Sequence, residues 1–305
     1  MTRLQANMVL LVTAVVWGTT FAVQQLAMAH IGPMIYTGAR FLLGALMILP
    51  LALVQGRRLK RAADWRLAPS DRLGLLVLGG CLFVGALLQQ IGITYTTVSN
   101  AGFLTALYVP LTPLMALVFL RQVPHWVVWP AAAGCTMGAY ILAGGDIMAI
   151  GTGDLWVIAG AFFWAIHVLL VGALARRTGA PFVVACAQFF VCAALGLVWG
   201  AASEPASLAA LIAAAPYIAY GGVMSVGIGF TLQVVGQAHT PAPDAAIILS
   251  SETVFAALTG MAFLGERLGA LELFGCALIL AGVLMVELLP ARLPSRRPGQ
   301  ASVGH

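Results

Sequence analysis

Few residues in this sequence could do chemistry, and most of those sit within long apolar runs. Glu252 comes first. A helix starting at Asp244 carries Glu252 about 12 Å along its axis at 1.5 Å per residue. In a membrane that depth is near the midplane, where an ionisable side chain costs at least about 2.5–3.5 kcal/mol and must face protein or water. Two readings stand: a site for a substrate ammonium or a proton, or a protonated carboxyl hydrogen-bonded between helices. Arg40, seven residues past Pro33 and so about 10 Å from a helix end, reads as an interhelical clamp onto a carbonyl or a glutamate. His167 reads as a hydrogen-bonded packing residue or a ligand contact. Trp17 and Trp164 lie well inside their apolar runs, away from an interfacial aromatic belt, and could pack or stack on a cation or aromatic ring. Gln89, Tyr108, Gln233 and Ser251 add neutral hydrogen-bonding groups, which suit a zwitterion or polar metabolite better than a bare ion. The candidate substrate-binding set is therefore Trp17, Gln89, Tyr108, Trp164, His167, Gln233, Ser251 and Glu252.

Several chemistries lack their motifs. There is no H-E-x-x-H, no pair of carboxylates on one helix face and no G-x-x-x-x-G-K-[ST]. The five cysteines fall in apolar runs without C-x-x-C spacing, which suits packing thiols better than a disulfide frame or a zinc site. No cofactor, metal or catalytic residue is expected. A channel would want a charged ring or a filter repeat, and neither is found.

The elements that carry these residues follow from composition. Of 305 residues 61% are hydrophobic and 8% charged, against about 25% charged in a soluble domain. Mean hydropathy is +1.00, too apolar for a surface in water. A bilayer core about 30 Å thick takes roughly 20 apolar residues per helix. Ten segments qualify: 8–28, 33–54, 73–93, 98–119, 126–143, 154–174, 182–201, 212–235, 244–264 and 271–289. Breakers such as Gly32-Pro33, Pro124, Ala180-Pro181 and Pro241 separate them. The stretch 55–72 and the tail after Pro290 read as polar, the tail (291–305) as disordered. Ala27-Met28-Ala29 resembles a cleavage site, but the apolar stretch before it is long, so the first helix is expected to be retained.

With ten helices both termini share a side. Thirteen of the fifteen lysines and arginines fall in the tails and loops of that side; Arg267 alone lies opposite, and Arg40 is within helix two. The bias places both termini in the cytoplasm, in a multi-pass protein of the cell inner (plasma) membrane. The acids Asp146, Asp154, Glu204 and Glu266 fall on the far side. The basic surplus is thus a topology signal and not a nucleic-acid surface.

The chain also repeats itself. From Gly85 to Leu142 an ungapped offset of 144 pairs Gln89 with Gln233, Gly92 with Gly236, Thr96 with Thr240, Asn100 with Asp244 and Gly138 with Gly282. Upstream the offset drifts, pairing Trp17 with Trp164, Pro33 with Pro181 and Phe41 with Phe189. Five helices per half force the second half to enter the membrane in the opposite sense. The expected fold is an all-α membrane protein of ten transmembrane helices in two inverted five-helix repeats, residues 1–150 and 151–290. Such folds carry a substrate path between the halves near the midplane.

Val16-Trp17-Gly18-Thr19-Thr20-Phe21, Ala39-Arg40-Phe41 and Ser251-Glu252-Thr253-Val254-Phe255-Ala256-Ala257, followed by Gly265-Glu266-Arg267-Leu268, Gly275 and Gly282, resemble motifs of the drug/metabolite transporter superfamily, EamA type. The resemblance runs from Met8 to Leu289 and is nearest to its YddG-like ten-helix amino-acid exporters. It implies export of small metabolites, amino acids first, with the lipid bilayer and a small-molecule substrate as partners; facilitated diffusion, or coupling to a proton through Glu252, both stay open as the driving mode. An intramembrane enzyme and a channel-like facilitator are the alternatives. One departure stands out: Thr253 occupies the place where the family commonly has proline. The first half has Tyr108-Val109-Pro110 there, so the kink is expected mainly in helix four.

Overall fold

The computed structural model describes residues 1–63, 65–96, 98–143, 151–205, 207–264 and 269–292. Ten helices cross the bundle. They are α1 (Arg3–Gly18 and Thr20–Ala27), α2 (Pro33–Ala63), α3 (Pro69–Tyr95), α4 (Val98–Thr105 and Tyr108–Leu120) and α5 (Val128–Leu142) in the first half. The second half holds α6 (Thr152–Thr178), α7 (Pro181–Ser203), α8 (Leu208–Gln237), α9 (Ala242–Leu249 and Glu252–Leu264) and α10 (Ala270–Arg292). Eight are long and apolar enough to span a bilayer, α1 and α4 among them despite their breaks; α5 is shorter, and α9 crosses in two pieces. The molecule is an all-α membrane protein with the expected ten-helix order. The stretch expected to be a polar loop is largely helical, because α2 runs on to Ala63 and α3 starts at Pro69. Hydropathy marks where a helix leaves the apolar phase, not where its hydrogen bonding stops. Asp146, the motif 265–268 and the tail from 293 lie outside the described residues.

The kink is not confined to α4. Its break falls at 106–107, ahead of Pro110, and α9 breaks at Ser250–Ser251, the equivalent place under the offset of 144. No proline stands at the second break. There the side chains of Ser250, Ser251 and Thr253 donate to the carbonyls of Ile247, Ile248 and Ser250 at 2.7, 2.7 and 2.8 Å. Hydroxyls that bond back onto their own helix bend it, so a Ser-Ser-x-Thr run bends α9 where proline is the family's usual means. A third irregularity is a ten-residue π-helix, Gly221–Phe230, within α8.

Small residues let the helices touch. A Cβ on Gly138 of α5 would lie 2.5 Å from the Gly275 carbonyl of α10, and one on Gly196 of α7 would lie 2.8 Å from the Gly38 Cα of α2. Backbones that close exclude any side chain. At the end of α6, Gly179 adopts φ +63° as the left-handed cap, and its N–H donates to Ala175 O at 3.2 Å.

The repeat reappears as paired contacts. The Thr240 hydroxyl donates to Asn7 at 2.7 Å, tying the end of α8 to the start of α1. At the matching place Thr96 donates to Asp154, tying α3 to α6. A second exchange joins α2 and α7. The Glu204 carboxylate, just past α7, accepts from the N–H groups of Met34 and Ile35 at 2.8 Å each. In return Gln55 Oε1 on α2 accepts from Phe182 N and Val183 N at 2.9 and 3.3 Å. Each helix thus satisfies the orphan donors at the other's start.

The start of α1 and the end of α10 lie at one face, since Asn7 donates to Glu287. Arg3 pairs with Asp244 at 2.7 Å and also donates to Val286 O at 3.2 Å. Arg177 pairs with Asp71 at the same face. Both ion pairs found among the described residues belong to this face.

Candidate functional site

A central cavity of about 50 Å³ is lined from α1, α2, α3, α4, α6, α8 and α9. Its walls show the repeat directly. Trp17 and Trp164, Gln89 and Gln233, Thr105 and Leu249, and Tyr108 and Glu252 are equivalent pairs, and all eight line it. The breaks in α4 and α9 place Tyr108 and Glu252 as the first residues of their second helical segments. Seven helices from two halves line the one cavity, and at α4 and α9 the same local geometry is used twice.

The tryptophans hold different partners. Trp164 Nε1 donates to Gln89 Oε1 at 3.0 Å. Trp17 Nε1 donates to the Ser225 carbonyl at 3.2 Å, within the π-helix. The widened turn of a π-helix misaligns carbonyls from their usual acceptance, and Trp17 takes up one of them. Gly229 permits it, because a Cβ there would lie 2.6 Å from Trp17 Nε1. Phe230 lies between the indoles, 4.5 Å from Trp17 and 5.8 Å from Trp164 by ring centroids, stacked on the latter at 20°. The aromatic partner the tryptophans could stack on is thus supplied by the protein itself.

Glu252 is 4% exposed. Among the described residues its carboxylate makes no hydrogen bond and no ion pair, so the interhelical bond considered for it is not made. Other lining groups are also unsatisfied: Tyr108 Oη, Thr105 Oγ1, Gln233 Oε1 and Arg40 Nε are buried without a partner. Buried polar groups are nearly always paired with protein, water or ligand. Four orphans and a lone carboxylate stand around one cavity.

Two of the eight candidates fall elsewhere. His167 is fully buried behind the wall, its Nε2 2.8 Å from Gln188 Oε1 and its ring edge-on to Trp164 at 5.6 Å. Ser251 is spent on the α9 break. Neither is among the lining residues. Arg40 does clamp a neighbouring helix, donating from Nη1 to Gln24 Oε1 at 3.0 Å, yet it also lines the cavity. Phe230 and Ser225 were not among the sequence candidates. Phe230 aligns with Ala86, so the repeat gives it no signal.

A ten-helix bundle with a central cavity lined by equivalent residues of its two halves suits a membrane transporter. The EamA-like transporter family model matches the chain twice, over residues 4–144 and 151–288. The chain belongs to that family. A protein of Archaeoglobus fulgidus described as an uncharacterized transporter is 27% identical over 288 residues, spanning 94% of this chain and 87% of its own. A solved crystal structure at 20% identity superimposes with a TM-score of 0.77 over 96% of this chain and 100% of its own, and so shares the fold.

Proposed function

We propose that this transporter exports small polar metabolites, amino acids first, by alternating access through the central cavity between repeats 1–150 and 151–290. The observation that carries this reading is Glu252: a buried carboxylate without a protein partner among the described residues, lining a cavity whose other groups are aromatic, apolar and neutral polar apart from Arg40. An ammonium or a proton answers that charge, and the orphaned hydroxyl and amide groups answer the rest of a polar solute. The cation bias supports cytoplasmic termini in the cell inner membrane. With that orientation, the ion pairs Arg3–Asp244 and Arg177–Asp71 lie at the cytoplasmic end, and we read the conformation as closed on that side.

The test is uptake into proteoliposomes of single amino acids, amines, carboxylates and neutral sugars, each with and without a pH gradient. Saturable uptake of amino acids is expected. Saturable uptake of sugars alone would overturn the reading. Amino-acid uptake that never saturates would point to a channel-like facilitator.

A further inference from the structure

Arg40 and Glu252 are the only charged residues among those lining the cavity, and they do not pair. Each has a fold-level reason to want a partner. The Arg40 guanidinium is a permanent cation, is 3% exposed, and finds no carboxylate among the described residues within ion-pair distance. Gln24 takes one Nη1 hydrogen, and the rings of Tyr36 and Phe41 stand 5.2 Å from the guanidinium carbon. These contacts hold the group in place and answer part of its charge, but none supplies an anion, and Nε is buried without an acceptor. Clamping Gln24 needs only a neutral donor; a guanidinium facing a cavity offers more than that task requires.

The placement of the two charges has a direction. Arg40 lies about 10 Å from the α2 end opposite the termini, seven residues at 1.5 Å each. Glu252 follows the break in α9, ten residues in from the termini face.

We propose that Arg40 recognises the substrate carboxylate. The solute then lies with its carboxylate toward the face opposite the termini and its ammonium at Glu252. The cavity thereby selects a dipolar ion over either singly charged relative, because one unanswered buried charge remains whenever one group is missing. This inference rests on the cavity being the transport site, as in the proposed function.

The test uses three compounds that differ only in charged groups: L-phenylalanine, 2-phenylethylamine and 3-phenylpropionate. Uptake of each is measured in proteoliposomes with wild type, Arg40→Gln and Arg40→Lys, with folded yield followed by size-exclusion chromatography. Wild type is expected to prefer phenylalanine over the amine by at least tenfold. Arg40→Gln is expected to erase that preference by lowering phenylalanine uptake at least tenfold while leaving amine uptake within twofold. Arg40→Lys keeps a cation and should retain most of the preference, which keeps the test decisive if the glutamine variant folds poorly. Equal loss of amine and amino acid in Arg40→Gln, or loss of the preference in well-folded Arg40→Lys, overturns the role of Arg40 and leaves amino-acid transport standing. Wild type that carries neither phenylalanine nor any other amino acid overturns the proposed function, and the role of Arg40 with it.

Discussion

Tyr108 and Glu252 stand at equivalent positions of the two repeats, each the first residue after the break in its helix, and both face one cavity. The same local device delivers a neutral hydroxyl from one half and a carboxylate from the other. At the two breaks the cavity wall is therefore matched in backbone and asymmetric in charge. That asymmetry is what a solute with distinct ends can read.

Glu252→Gln keeps the shape and hydrogen-bonding capacity of the side chain and deletes its charge. If the carboxylate holds a substrate ammonium, affinity should fall by about 2–5 kcal/mol, the usual cost of truncating one member of a buried charge pair. If it carries a coupling proton, pH-driven accumulation should vanish while downhill exchange survives. Measuring both on one substrate separates the two roles. Wild-type rates in both assays would remove Glu252 from the site.

Trp164→Phe keeps a ring to stack on Phe230 and removes the donor to Gln89. Gln89 Oε1 then loses its partner at the cavity wall, at a cost of about 1–3 kcal/mol if water cannot replace it. Transport should fall several-fold with a modest drop in melting temperature. A large drop with unchanged specific activity of the folded fraction would make Trp164 a packing residue.

Arg3→Ala removes an ion pair to Asp244 whose arginine side chain is 42% exposed. Screening holds such a pair to about 1 kcal/mol or less, so the balance of conformers should move by no more than about fivefold. The expected readout is faster labelling of a cysteine at Ser225 by a reagent added from the termini side. Unchanged labelling would show that the pair does not hold that face closed.

A cysteine replacing exposed Arg58 should react only with a reagent applied from the cytoplasm, and one replacing exposed Thr152 only from outside. The reverse pattern would invert the membrane orientation inferred from the cations.

The ten spans were legible in the sequence because burial in lipid demands long apolar runs, and each observed helix matches its expected segment to within a few residues or extends it. Two of the four cavity pairs were legible as well, since the repeat matched Gln89 to Gln233 and Trp17 to Trp164. The α9 break was not, because serine and threonine bend a helix only when their hydroxyls turn back on it, a choice that composition does not fix. The π-helix was hidden in a glycine-rich run that reads equally well as a plain α-helix. His167 and Ser251 were chosen for being polar at depth. A polar group at depth is satisfied equally by a neighbouring helix or by its own backbone, and sequence alone does not separate those fates from exposure to a cavity.

The exchange of caps between α2 and α7 sets an order on the making of the protein. The first N–H groups of α2 wait for Glu204, a residue synthesised some 170 positions later. Until then the start of α2 must borrow water or lipid headgroups at the membrane surface. Gln55, by contrast, is already in place when Phe182 and Val183 emerge. The early half is thus left open for its successor, and the late half closes it on arrival.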